Sequence, residues 1–130
     1  MFGGAEFYAI CEKGNGKAIG AIELKLNGHT YMTKRDDECE LGYWLGKPFW
    51  GREYMPEAAK ELIRRGFEDL GMNTIWCGYY EGNQKSKRVQ EKLGFVYHHT
   101  RHEVPVPLLN EVRVEHTNVM TREHWEKTHA

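Results

Sequence analysis

Between Cys39 and Leu70 the hydrophobic pattern changes from the run of a strand to the stripe of a helix, and the join between them is short. Cys39-Glu-Leu-Gly-Tyr-Trp-Leu45 is rich in the aromatic and aliphatic residues that suit a pleated, half-buried surface. Lys47-Pro-Phe-Trp-Gly-Arg-Glu-Tyr54 breaks that pattern. Pro56 suits a first helical turn, where its missing N–H costs nothing. Ala58, Ala59, Leu62, Ile63, Phe67 and Leu70 then fall on one helical stripe, and Gly71 stands where a helix end is expected. Strand 39–45, loop 46–55 and helix 56–70 restrict the chain to α/β architectures in which a strand feeds a helix N-terminus. Such a terminus presents unpaired N–H groups and the positive end of the helix dipole, a seat for phosphate or pyrophosphate. Gly51 lets a ligand approach the backbone closely. Taken alone the loop reads more readily as an ordinary connection, and it matches neither a P-loop nor a GxGxxG fingerprint.

The flanks complete the pattern. Phe7 to Glu12 is strand-like, Gly14-Asn15-Gly16 signals a tight turn, and Ile22, Leu24 and Leu26 alternate with Glu23 and Lys25, which predicts a hairpin with one wet face. Residues 27–38 read as a loop and 74–80 as another strand. Asn83 is a good N-cap for a helix whose Ser86, Val89, Gln90 and Leu93 share a face and which Gly94 closes. Phe95 to Val104 and Glu111 to Met120 predict an antiparallel pair around Pro105-Val-Pro107. The predicted order is β-β-β-α-β-α-β-β on a mixed sheet, in one domain covering residues 1–130.

With 40% hydrophobic and 28% charged residues in 130, a single sizeable core is expected. A net charge of −1 offers no basic footprint for nucleic acid. Cys11, Cys39 and Cys77 are odd in number and widely spaced, which favours reduced thiols over disulfides or a zinc site. No run approaches the length that crosses a bilayer, and Met1-Phe-Gly-Gly-Ala is unlike a signal peptide. The expectation is a cytoplasmic protein without nucleic-acid or membrane partners. His98, His99 and His102 cluster near the fifth strand, but they lack a second pair at ligand spacing and read as exposed strand histidines, so no metal is expected.

Three segments carry more specific information: Glu40-Leu-Gly-Tyr-Trp-Leu45, then Trp50-Gly51 with Glu57-Ala58, then Asn83-Gln-Lys-Ser-Lys-Arg-Val-Gln-Glu-Lys-Leu-Gly-Phe95. With the closing Met120-Thr-Arg-Glu-His-Trp125, the chain resembles the GNAT superfamily of N-acetyltransferases, and most closely its ribosomal-protein N-acetyltransferase-like branch. The resemblance implies a GNAT-type α/β fold, a mixed and mostly antiparallel sheet with two helices. It implies acetyl-CoA as cosubstrate and a primary amine, a protein N-terminus or a small amine, as acceptor. In the family two parallel strands splay apart and the pantetheine arm enters between them; here they would be 39–45 and 74–80. The backbone of Tyr43, Trp44 and Leu45 would pair with pantetheine. The amides of Trp50, Gly51, Arg52, Glu53, Tyr54 and Met55 would hold the pyrophosphate, and Asn83 and Ser86 would lie near the thioester.

Aminolysis of a thioester needs a neutral amine, a polarised carbonyl and a protonated leaving thiolate. The resemblance implies the Leu45 amide as carbonyl donor, Ser86 as the hydroxyl beside sulfur and Glu40 as proton acceptor through water. Each has a plain alternative: Ser86 as the third-position residue of a capped helix, Glu40 as a solvated carboxylate. Tyr79 and Tyr80 are reserve hydroxyls or core residues, and Cys77 reads as core.

The sequence departs from the family pattern in places. Glu53 replaces a small residue, Pro48 stands where many members carry Gln or Arg, and Gln90 stands where many carry the tyrosine that protonates the thiolate. The strand and two helices that open the family domain have no counterpart ahead of Phe7, so the fold is expected to be N-terminally truncated, with a second copy covering the bare edge in a dimer. These departures also admit an alternative, a degenerate non-catalytic acyl-CoA-binding or oligomerisation module.

Overall fold

A computed structural model of the chain describes residues 5–11, 18–26, 37–45, 54–106 and 109–129. Among the described residues there are six strands: β1 Ala5–Cys11, β2 Ala18–Lys25, β3 Glu38–Leu45, β4 Thr74–Tyr80, β5 Val96–Val106 and β6 Glu111–Thr121. They form one sheet in the order β1-β2-β3-β4-β6-β5. Every pairing is antiparallel except β3 with β4, which is parallel and spanned by helix α1, Tyr54–Arg64. Helix α2 is Gln84–Leu93.

Alternation decides which side chains each strand buries. Ile22 and Leu24 of β2, Cys39 and Leu41 of β3, Ile75 and Cys77 of β4 and Met120 of β6 all enter the core. Met55, Ala59, Leu62 and Ile63 of α1 and Leu93 of α2 close over them, so both helices lie on one face of the sheet. Of the stripe read from the sequence, Ala59, Leu62, Ile63 and Phe67 are buried, Ala58 and Leu70 are partly buried against the core, and Met55 extends it. Glu23, Lys25, Glu40 and Trp44 lie on the opposite face. Gly66 allows the closest approach of helix to sheet, since a Cβ there would stand 3.0 Å from the Ile75 side chain.

The helix expected over 56–70 changes character partway. After Arg64 the backbone widens into a π turn, Arg65–Asp69, in which Leu70 N–H donates to Arg65 O at 2.9 Å. Phe67 sits in that turn, fully buried.

Three sequence expectations are corrected. The closing segment is not only strand and tail: Arg122–His129 forms a third helix, α3. Thr121 Oγ1 accepts from His124 N–H at 3.2 Å in its first turn, and Lys127 meets Glu123 at 3.1 Å. Its one large apolar side chain, Trp125, stacks on Phe67 with ring centroids 5.2 Å apart and makes no periodic stripe. The pair β5/β6 does not turn at Pro105. That proline pairs with Val112, and an edge strand tolerates it because β5 has no outer neighbour that needs a backbone N–H. Finally, α1 begins at Tyr54, ahead of Pro56.

Two of the three thiols are sealed in. Cys11 is exposed, whereas Cys39 and Cys77 are buried. Burial, then the Glu38 and Glu40 carboxylates, pushes the Cys39 thiol from 9.0 up to about 12. Burial, then Glu40, raises Cys77 well above its ordinary value. The unfolded chain therefore loses these protons at lower pH than the folded one. Their contribution to stability is whole below pH 9 and is lost as pH rises towards 12. Urea midpoints are expected to fall across that window. At about pH 8, below the ordinary thiol pKa, a disulfide reagent should label Cys11 at once and the other two only after unfolding.

Candidate active site

The parallel pairing between β3 and β4 is brief. Glu38, Cys39 and Glu40 pair with Thr74, Ile75 and Trp76, and no further pair forms although β3 continues to Leu45 and β4 to Tyr80. The strands therefore diverge beyond Glu40. Leu41–Leu45 remain paired with β2 on one side, and Cys77–Tyr80 with β6. On the sides that face each other, backbone groups in these stretches have no strand partner among the described residues. Such groups are a template for an extended chain that brings its own amides.

Helix α2 starts where β4 ends. Asn83 caps it, its Oδ1 accepting from Ser86 N–H at 3.2 Å. The left-handed Gly94, at φ 104°, closes it. The cap sets the phase of the helix and turns Ser86, Gln90 and Leu93 towards the sheet.

Ser86 and Gln90 meet a residue from the far side of the gap. The Tyr43 hydroxyl hydrogen-bonds the Ser86 hydroxyl. Gln90 Nε2 lies 3.0 Å from Tyr43 Oη, 3.2 Å from Ser86 Oγ and 2.9 Å from Gly78 O. Gln90 is fully buried, and its Oε1 accepts from Asn118 Nδ2 at 2.7 Å. A polar cluster from β3, β4, α2 and β6 thus closes the floor of the gap. Burial raises the Tyr43 phenol from 10.0 to about 12, with Cys77 adding to the rise and the Ser86 and Gln90 hydrogen bonds opposing it. Tyr43 stays protonated at neutral pH.

Glu40 occupies the vertex. It is the last residue of β3 paired with β4 and is only 7% exposed. Alternation places it on the opposite face from Tyr43, so the hydroxyl pair and the carboxylate flank the gap from its two sides.

Of the residues expected from sequence, Tyr43 and Ser86 are brought into contact and Asn83 lies one turn away as the cap. Trp44 and Leu45 end β3; the Trp44 side chain is 64% exposed. Met55 sends its side chain into the core, leaving only its backbone, with that of Tyr54, at the N-terminus of α1. Trp50, Gly51, Arg52 and Glu53 lie outside the described residues, as does Pro48. The rings of the reserve residues make contacts elsewhere: the Tyr79 ring lies 5.1 Å from that of His116, and Arg113 stands over Tyr80 at 5.4 Å. The phenol at Ser86 is Tyr43 instead.

Sequence reasoning took Tyr43 for its backbone and Gln90 as a departure, and passed over Asn118. Alternation with Cys39 and Leu41, and the four-residue spacing from Ser86 to Gln90, were the available signals for the first two. Nothing in the sequence singles out Asn118. His98 Nδ1 lies 2.7 Å from His99 Nδ1, with both rings edge-on to Trp76. Among the described residues no three His, Cys, Asp or Glu side chains are grouped to hold a metal. None of the described helices is long and apolar enough to cross a membrane.

A family model for the acetyltransferase (GNAT) domain matches residues 3–96. The chain is 37% identical over 59 residues to YdaF of Bacillus subtilis, provisionally named a ribosomal N-acetyltransferase, covering 45% of this chain and 32% of that protein. It is 31% identical over 94 residues to the FsC-acetyl coenzyme A-N(2)-transacetylase of Aspergillus fumigatus, covering 70% of this chain and 39% of the relative. The chain thus spans about a third to two fifths of the length of these curated relatives. The structure of ribosomal-protein-S5-alanine acetyltransferase from Vibrio fischeri superposes with a TM-score of 0.80 at 20% identity, covering 93% of this chain and 63% of that one, a likeness of fold. With the family model covering most of its length, the chain belongs to the acetyltransferase (GNAT) family.

Proposed function

We propose that the chain carries the acetyl-CoA site of an N-acetyltransferase and moves an acetyl group to a primary amine by direct aminolysis. The observation that carries this reading is the divergence of β3 and β4 beyond Glu40, with Ser86 on one face of the gap and Glu40 on the other. The facing strand edges, which lack a strand partner among the described residues, fit the extended, amide-bearing pantetheine arm, and the N-terminus of α1 fits a pyrophosphate. Acetyl-CoA, when bound, supplies an activated acyl group.

The chain's own residues then have distinct tasks. Backbone groups of Tyr43, Trp44 and Leu45 align the thioester, with the Leu45 amide facing the carbonyl oxygen as negative charge grows there. Ser86 offers its hydroxyl to the departing sulfur. Glu40, partly shielded from solvent, takes the proton that the attacking amine must lose, directly or through water. Amine and thioester enter; amide and thiol leave, and the proton lost by nitrogen balances the one gained by sulfur. The acceptor class we infer is a protein N-terminal amine or a small primary amine; the likeness to relatives whose names print acetyl transfer to nitrogen supports an amine acceptor.

Calorimetric titration tests the site. Acetyl-CoA is expected to bind with micromolar affinity, the range set by roughly −8 kcal/mol, while ADP, which lacks pantetheine, does not. Release of free thiol on adding amines separates an enzyme from a binding module. Binding without turnover would favour the module, and no binding at all would remove the pantetheine site from consideration.

A further inference from the structure

The Tyr43–Ser86–Gln90 cluster has a direction, which follows from counting donors and acceptors. Gly78 O can only accept, so the atom of Gln90 that faces it at 2.9 Å is the amide nitrogen. Gln90 Oε1, on the other side, receives Asn118 Nδ2 at 2.7 Å, which holds the amide in that orientation. One hydrogen of Nε2 therefore goes to Gly78 O. The second is donated into the hydroxyl pair, at 3.0 Å from Tyr43 Oη and 3.2 Å from Ser86 Oγ.

Two hydroxyls that receive one external hydrogen bond and bond each other retain one surplus hydrogen. The phenol is the stronger acid of the two and the better donor, and the nearer end of Gln90 is the phenol oxygen. The chain of donation runs from Gln90 to Tyr43 to Ser86. Tyr43 also lies 3.5 Å from the Ser86 carbonyl, a long contact beside the one it makes to the hydroxyl. The surplus hydrogen is then on Ser86. Its hydroxyl meets only Tyr43 and Gln90 among the described residues, and both of these donate to it or to each other. That hydrogen has the open gap between β3 and β4 as its remaining direction.

We propose that Tyr43 is a positioning residue: its phenol donates to Ser86 Oγ and so turns the serine's own hydroxyl hydrogen into the gap between β3 and β4. The proposal rests on the acetyltransferase reading above and adds the means by which Ser86 is held as a donor. With the amine attacking the thioester carbon, the C–N bond forms and the C–S bond breaks, leaving the electron pair on sulfur. Ser86 donates a hydrogen bond to that sulfur. The proton finally placed on sulfur is the one nitrogen has lost, so neither Ser86 nor Tyr43 is consumed. Burial keeps Tyr43 a phenol, with its pKa near about 12, and it remains a donor across the working range. Gln90, at a position where many members of the family carry tyrosine, here acts one step behind Ser86.

The test is a double-mutant cycle of Tyr43→Phe and Ser86→Ala, with acetyl-CoA as donor and either a peptide bearing a free N-terminal amine or a small diamine as acceptor. Tyr43→Phe is expected to lower kcat about tenfold, the effect of misdirecting one hydrogen bond, and to leave KM for acetyl-CoA within about twofold. In the Ser86→Ala background the same change should cost less than about twofold, because the tyrosine acts only through the serine. Losses that multiply in the double mutant, or a Tyr43→Phe enzyme with full kcat, would overturn the proposal and leave the acetyltransferase reading standing. A wild-type chain that fails to bind acetyl-CoA would overturn both. A second readout needs no turnover. In proton NMR spectra of the free protein, one slowly exchanging tyrosine hydroxyl resonance should vanish in Tyr43→Phe and shift in Ser86→Ala. A Tyr43 hydroxyl that exchanges as fast as a surface tyrosine would contradict the assigned hydrogen bond.

Discussion

Replacing Ser86 with alanine is expected to lower kcat by about a hundredfold, the lower end of what a positioned acid or hydrogen-bond donor contributes. The affinity for acetyl-CoA should change little. The reason lies in where the hydroxyl sits. Ser86 is in the first turn of α2, its backbone N–H held by Asn83 and its side chain by Tyr43 and Gln90. Removing Oγ leaves the cap and the backbone edges of β3 untouched, so the elements that would hold pantetheine remain. What is lost is the one donor facing the place where negative charge collects on sulfur, and such a loss falls on the transition state more than on the bound substrate. Steady-state kinetics beside a calorimetric binding curve would check it. A variant with wild-type kcat would return Ser86 to a capping role alone.

The largest effect on stability is expected at Phe67, where alanine should cost about 4 kcal/mol, within the range for deleting a fully buried aromatic ring. That is a large part of the total for a domain of this size. Phe67 fills the π turn after α1, stacks on Trp125 and lies 5.8 Å from the Arg122 guanidinium. Arg122 in turn donates to the carbonyls of Phe67 and of Met72, the latter at 2.9 Å. Removing the ring opens a cavity under α1 and takes away the apolar contact that seats α3. Urea denaturation would report the loss, and Trp125 fluorescence should shift to longer wavelength in the folded variant. A cost under about 1 kcal/mol would mean that α3 and α1 close over the space, which the stacked geometry argues against.

Much of the architecture follows from short-range rules that the sequence carries on its face. The stripe from Ala58 to Leu70, the cap at Asn83 and the left-handed Gly94 depend on residues within a turn or two, and each appears where its local chemistry requires. The alternation of β2 and β3 likewise decides which side chains are buried. Residues 46–53, the centre of the sequence argument for pyrophosphate, lie outside the described part of the chain. The polar helix α3 was missed because its apolar content is one tryptophan whose partner, Phe67, is far away in sequence.

Sequence alone determined the order of elements from β1 to β6, the face each buries and the GNAT motifs, because these are read by spacing along one strand or one helix. The resemblance implied that β3 and β4 splay apart; only the tertiary structure decided that they part after Glu40, and that Tyr43, Ser86, Gln90 and Asn118 from three different elements meet at the floor of the gap. Strand divergence depends on how helices and neighbouring strands pack across the whole sheet. A hydrogen-bond network between buried side chains depends on distances between residues far apart in the chain, which no periodicity encodes.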